Sequence, residues 1–290
     1  MSFVNDLING ADNKFDHTSL NALQKVTLRA VVMAFLFYGL AAIEGMIMRT
    51  ASVIPSIPPV YGSPEHYFSI MTVHPIVGIF GSTYQLVFGA FMFLVPFLTK
   101  KPLYSVKLAN WVWLLITVGT ALSWIAAFAW NYAPLYTLYW PLPADTEQFK
   151  TIGGIVFILG VALIMFGTFG FIYNIYATIF ARVGVHQNKT MKELLISGFG
   201  IDGILNLWYK LTGRQPYTKE PALSLPVVAI FRGTVDTFLD ALIILGAGIL
   251  VLVYLFADLG GLSLDVKSVD ALLYKNWFWW GLDLVADGLV

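Results

Sequence analysis

The sequence predicts an all-α fold: a polytopic transmembrane helix bundle with five complete spans and the start of a sixth. Three observations predict it. Of the 290 residues, 58% are hydrophobic and only 12% charged, roughly half the ~25% charged fraction of a soluble domain. The apolar residues collect in runs longer than about 20, enough to cross a ~30 Å hydrocarbon core at 1.5 Å per residue. Basic residues crowd into alternate connections between those runs, as they do in multi-pass membrane proteins.

The first 25 residues are polar and hold no apolar signal-peptide core. They read as an arm, and residues 26–290 as the membrane domain. The first span is expected from about Val26 to Met48, the second from Tyr67 to Leu98 and the third from Lys107 to Trp130. The fourth runs from Ile152 to Ala181 and the fifth from Pro226 to Phe256. A sixth apolar stretch opens at Trp277 and the sequence stops at Val290. As a helix that stretch reaches only ~21 Å, short of the ~30 Å core. The expectation is a chain that stops inside a membrane helix, as a truncated or split polypeptide does.

Lys14, Lys25 and Arg29 precede the first span, Lys100, Lys101 and Lys107 flank the second loop, and six more basic residues lie between Arg182 and Lys219. The other loops carry only Arg49, Lys150, Lys267 and Lys275. This bias puts the N-terminus in the cytoplasm of a plasma-membrane protein. Residues 183–225 form a cytoplasmic interfacial segment. There, Thr190 and Glu193 make a T-x-x-E capping box ahead of Leu194, Leu195 and Phe199, which predicts a surface helix interrupted near Gly198 and Gly200.

Seventeen basic and seventeen acidic residues balance, which excludes nucleic acid as a partner and leaves membrane lipid. The absence of cysteine excludes disulfides, zinc–thiolate sites, iron–sulfur clusters and thiol catalysis. The histidines are His17, His66, His74 and His186. Only His74 falls deep in a span, ~10 Å below its start at seven residues of 1.5 Å each. Gly78, Gly81 and Ser82 flank it and would admit a bulky planar group. A histidine there is either hydrogen-bonded to a neighbouring helix or a metal or haem ligand.

Asp283 and Asp287 share one face of the sixth helix, at i and i+4. Asp283 lies at a depth like that of His74. Arg232, Asp236 and Asp240 are again spaced by four, as an ion pair with a neighbouring carboxylate or as part of a proton path. Glu44 either meets Arg49 or faces a water-filled channel. Gln85, Asn110 and Asn174 read as interhelical hydrogen-bonding groups.

Together these residues resemble a family. The stretch from Tyr67 to Pro96 resembles the second helix of the catalytic subunit of haem–copper oxidases, with His74 in the place of an axial ligand of the low-spin haem. Tyr139-Trp-Pro-Leu-Pro143 resembles the aromatic-Pro-Leu signature between the third and fourth helices. Met48-Arg49 and Asn110 fit the same order. The resemblance implies a fold of about twelve helices, of which this sequence covers the first half. In oxygen-reducing members the sixth helix carries a copper-binding histidine and, four residues later, a tyrosine. Here Asp283 and Asp287 occupy those places. The run from Trp277 to Gly288 is also similar to nitric oxide reductases, where a glutamate and glycine follow the metal-binding histidine; Asp287-Gly288 fits that step.

The resemblance implies a respiratory terminal reductase. Electrons would pass from cytochrome c or quinol through a low-spin haem, ligated by His74, to a high-spin haem beside non-haem iron or copper held in part by Asp283. Asp287 would be a second ligand or proton donor, and Glu44, Asp236 and Asp240 would lie on a proton path. The partners would be the later helices of the catalytic subunit and other respiratory subunits. The carboxylates favour nitric oxide as acceptor, with a divergent oxygen reductase as the alternative. A degenerate, non-catalytic haem-binding subunit and a transporter using Arg232, Asp236 and Asp240 are further readings.

Overall fold

The computed structural model describes residues 20–54, 64–183, 188–217 and 222–289, the side chains of 64–65 and 286–289 excepted. Most of the predicted N-terminal arm, including His17, and also His186, lie outside the described residues. The described residues are overwhelmingly helical. Five stretches, Ala22–Val53, His66–Thr99, Val106–Ala129, Thr151–Phe180 and Leu225–Leu259, are long and apolar enough to cross a membrane. The protein is a multi-pass membrane protein built as an all-α bundle.

Helix α1, Ala22–Val53, starts four residues ahead of the predicted Val26. Asn21 sets that start: its side chain accepts from the Gln24 amide, and Gln24 reaches back to the Asn21 amide. The second span has three parts: α2 (Pro64–Pro75), a π-helical stretch (Ile76–Tyr84) and α3 (Gln85–Thr99). Pro75 has no amide hydrogen for the carbonyl one turn back, and the winding widens directly after it. Thr83 follows the wider spacing by donating its hydroxyl to the Gly78 carbonyl at 3.1 Å.

Next come α4 (Val106–Ala129) and α5 (Thr151–Phe180). Their seam is tight because glycine faces glycine. A methyl group placed on Gly119 would sit 2.5 Å from the Gly160 carbonyl oxygen, and one on Gly160 would sit 2.7 Å from that of Gly119. Small residues let backbones approach where no water is present to drive association. Arg29 to Asn110 (3.0 Å), Gln85 to Thr117 (2.9 Å) and Asn174 to Ser105 (2.9 Å) are interhelical hydrogen bonds, as their residue types predicted.

The predicted surface helix is a hairpin: α6 (Met191–Gly198), opened by the Thr190–Glu193 capping box, then α7 (Ile201–Leu211). Gly200 joins them in the left-handed region at φ 72°, which only glycine adopts without strain. The exposed ridge of α7 carries Ile204, Leu207, Trp208 and Leu211.

Helix α8 covers Leu225–Leu259 and α9 covers Ala271–Leu289. The latter opens more than a turn before the predicted Trp277. Asp270 is the reason: its carboxylate accepts from the amides of Leu272 and Leu273 at 2.9 Å. With 19 residues α9 is ~28 Å long. It packs against α8, where Gly281 meets Ile243 and Gly246 meets Trp277. The aromatic-Pro-Leu loop closes over this junction. Trp140 donates its indole N–H to the Val266 carbonyl at 2.7 Å, and Trp279 donates to the Tyr139 hydroxyl at 2.9 Å.

Candidate functional site

His74 occupies the last turn of α2, just before the π-helical stretch. Polar side chains fix α2 at this level. Ser69 donates to the Ala127 carbonyl at 2.8 Å, and the Leu135 amide donates to the Thr72 hydroxyl at 3.1 Å. Helix α1 passes along the edge of the imidazole, where a methyl on Gly45 would stand in ordinary contact, 3.4 Å from His74 Cε1.

The imidazole faces a carboxylate. His74 Nδ1 lies 3.8 Å from Glu44 Oε2, and the two side chains are 35% and 5% exposed. Both atoms are buried and have no hydrogen-bond partner among the described residues. The other carboxylate oxygen, Glu44 Oε1, accepts from the indole N–H of Trp124 on α4 at 2.8 Å. The expectation that Glu44 meets Arg49 is corrected: Arg49 is exposed, while Glu44 is turned toward α4 and α2. Trp124 was missed by sequence reasoning, since nothing local marks an indole as the partner of a residue 80 positions away.

The small residues around His74 also need correction. Gly78 faces Ala41, and a methyl on Gly81 would lie 2.8 Å from Thr120 and 3.0 Å from Phe37. These glycines admit α1 and α4, not a planar ligand. What fits a haem is the ring itself. Its Nδ1 is sealed, so the remaining exposure belongs to the part of the ring that carries Nε2, the nitrogen a metal would take.

The bundle does not bring Asp283 beside His74. Helix α9 buries Tyr274, Phe278 and Val285 against α8, and Asp283, off that face, is exposed. It has no hydrogen-bond or ion-pair partner among the described residues. The side chain of Asp287 lies outside the described residues. Among the described residues no three His, Asp or Glu side chains converge in a way that could hold a metal, so the second metal's ligand set is not completed there.

The third group divides. Arg232 pairs with Asp236 one turn on, the ion pair its spacing allowed. Asp240 is separate and fully buried. Its Oδ2 accepts from the Tyr84 hydroxyl at 2.7 Å, while Oδ1 is buried without a partner among the described residues. Tyr84 was not singled out by the sequence. It ends the π-helical stretch, packed edge-on to Phe80 at 5.0 Å.

A second buried polar cluster, also missed, ties the start of α7 to the residues ahead of α6. Lys189 forms a buried ion pair with Asp202 at 3.0 Å and donates to Ser197 Oγ at 3.2 Å. Lys101 Nζ donates to the carbonyls of Ile179 and Ala181 at 2.6 and 2.8 Å, closing the C-terminus of α5. Burial, and then the nearby Lys189 charge, push the Lys101 ammonium down to about 8.

Fold and site therefore define a class: helical multi-pass membrane proteins that present one imidazole, backed by a carboxylate, from the second span. The sequence pattern of the family Cytochrome C and Quinol oxidase polypeptide I matches residues 25–285, and the chain belongs to that family. It is 30% identical over 176 residues to a cytochrome c oxidase subunit 1 homolog of Agrobacterium tumefaciens (strain T37), a match covering 52% of this chain and 28% of that protein. It is 28% identical over 171 residues to cytochrome c oxidase subunit 1 of Rhodobacter capsulatus, covering 52% and 29%. The matched part thus spans less than a third of the length of these relatives.

Proposed function

We propose that the chain is part of the catalytic subunit of a respiratory haem–metal terminal reductase, with His74 as an axial ligand of the low-spin haem and nitric oxide as the favoured acceptor. The haem assignment is carried by His74, whose Nδ1 side is closed against Glu44 and whose Nε2 side is open. A haem bound there supplies one-electron transfer. His74 binds and orients it, and the helices around it exclude water. Membership of an oxidase subunit I family makes a respiratory role the natural setting. The donor would be cytochrome c or quinol, the N-terminus would be cytoplasmic in a plasma membrane, and activity would need the later helices and other respiratory subunits.

The preference for nitric oxide rests on Asp283 and Asp287, which stand where oxygen-reducing relatives carry a histidine and a tyrosine. Carboxylate oxygen is a hard ligand and suits iron better than copper(I). Coupling two nitric oxide molecules takes two electrons and two protons and yields nitrous oxide and water. Asp287 would serve as second ligand or proton donor. Glu44, Asp236 and Asp240 are the side chains proposed to carry protons through the bundle. The second reading, oxygen reduction, is favoured by the names of the relatives, which are cytochrome c oxidase subunits or their homologs.

The test uses the complete purified complex. Reduced-minus-oxidised spectra are expected to lose the low-spin signal in His74→Ala; an unaltered signal overturns the ligand assignment. Iron without copper, together with nitrous oxide formation, is expected. Copper with oxygen consumption overturns the nitric oxide reading in favour of the second.

A further inference from the structure

The geometry points to Glu44 as a positioning residue for the haem ligand: its carboxylate, anchored by Trp124, accepts the Nδ1–H of His74, holding the imidazole with Nε2 toward the iron. This rests on the reading of His74 as a haem ligand.

Three observations carry it. First, His74 Nδ1 and Glu44 Oε2 are both buried and without a hydrogen-bond partner among the described residues, and they face each other at 3.8 Å. Leaving a buried polar atom unpaired costs ~1–3 kcal/mol. A mutual approach of ~0.9 Å brings the pair to an ordinary N–H···O length. Second, the carboxylate is already immobilised. Trp124 Nε1 donates to Oε1 at 2.8 Å, which leaves Oε2 as the atom offered to the imidazole. Arg49 does not compete for it, being exposed. Third, α1 runs past the ring beside Cε1, with room for one methyl group at Gly45, the next residue, so the helix that supplies the acceptor also borders the ring.

The chemical consequence follows from the two ring nitrogens. A carboxylate on one nitrogen fixes the proton there and leaves the lone pair of the other for the metal. It also draws the Nδ1 proton toward itself, making the ligand more basic and favouring ferric over ferrous haem. Glu44 thus sets both the plane of the ligand and the potential of the haem it holds. Trp124, reached through Glu44, tempers the charge of the carboxylate and keeps it in place.

The experiment is a redox titration of the low-spin haem in the complete complex, with electron paramagnetic resonance of the ferric state, for wild type, Glu44→Gln, Trp124→Phe and His74→Ala. Glu44→Gln keeps the shape and removes the charge. It is expected to retain haem, to shift the ferrous/ferric ratio at fixed potential about tenfold toward ferrous, about 59 mV for one electron, and to change the g-values that report the ligand plane. Trp124→Phe keeps the Glu44 charge but removes its anchor, and is expected to move the g-values without removing the haem. If His74→Ala abolishes the low-spin haem while Glu44→Gln and Trp124→Phe leave potential and g-values unchanged, the positioning role is overturned and the ligand reading stands. If His74→Ala leaves the low-spin haem intact, the ligand reading falls and this inference with it.

Discussion

The hydroxyl of Tyr84 donates to Oδ2 of Asp240 at 2.7 Å, and both side chains are fully buried between the π-helical stretch and α8. The bond matters because Asp240 has no cation beside it among the described residues: Arg232 is engaged by Asp236. Tyr84→Phe therefore strands a buried carboxyl group and is expected to lower stability by ~1–3 kcal/mol. Adding Asp240→Leu to that variant removes the stranded group and is expected to restore much of the loss. Unfolding of the single and double variants in one detergent checks the coupling, and additive losses would contradict it.

The Lys189–Asp202 ion pair is expected to hold the α6–α7 hairpin folded. Its side chains are 2% and 1% exposed, and removing one partner of a buried pair leaves an uncompensated charge at a cost of ~3–5 kcal/mol. Asp202→Ala should open residues 191–211 to protease while leaving α4 and α5 protected. Cleavage mapping reads this directly.

Lys101 predicts a dependence on pH. The folded chain holds its ammonium at about 8, against ~10.4 for a solvated lysine. Between those values the folded state has released the proton and the unfolded chain still binds it, so this group's contribution to stability rises with pH from about 8 to about 10.4 and is level below about 8. The difference in unfolding between wild type and Lys101→Met, followed from pH 7 to about 10, should show that slope.

The seam between α4 and α5 predicts a packing defect. Gly160→Val puts a branched side chain against the Gly119 backbone, where even a methyl group lies 2.7 Å from the carbonyl oxygen. Overpacking of this kind typically costs ~1–3 kcal/mol. A lower unfolding temperature is expected, with Gly39→Ala as the tolerated comparison because nothing lies within 4 Å of its added methyl.

Much of the architecture was legible because a bilayer imposes a length and a polarity that a sequence displays openly. All five complete spans were readable from apolar runs, with ends off by one to five residues where Asn21 and other local caps act. The start of α9 was misjudged because Asp270, its N-cap, looks like any loop aspartate until the Leu272 and Leu273 amides reach it. His74 stood out since a lone imidazole in an apolar run needs a partner. The partner itself was hidden: Glu44 offered an obvious neighbour in Arg49, whereas Trp124 and His74 are brought to it only by the crossing of helices. Gly78 and Gly81 misled for a related reason, since a glycine that admits a helix looks the same in sequence as one that admits a cofactor.

The wide winding from Ile76 to Tyr84, 9 residues in all, makes chain length part of the polar interior. His74 precedes it and meets α1; Tyr84 closes it and meets α8. Dropping a single residue in between would turn everything downstream by ~100°, swinging the phenol away from Asp240 while the imidazole kept its place. A deletion confined to apolar positions would then break the Tyr84–Asp240 contact without changing either residue and leave His74 where it is, so the bulge acts as a phase setting for the second span.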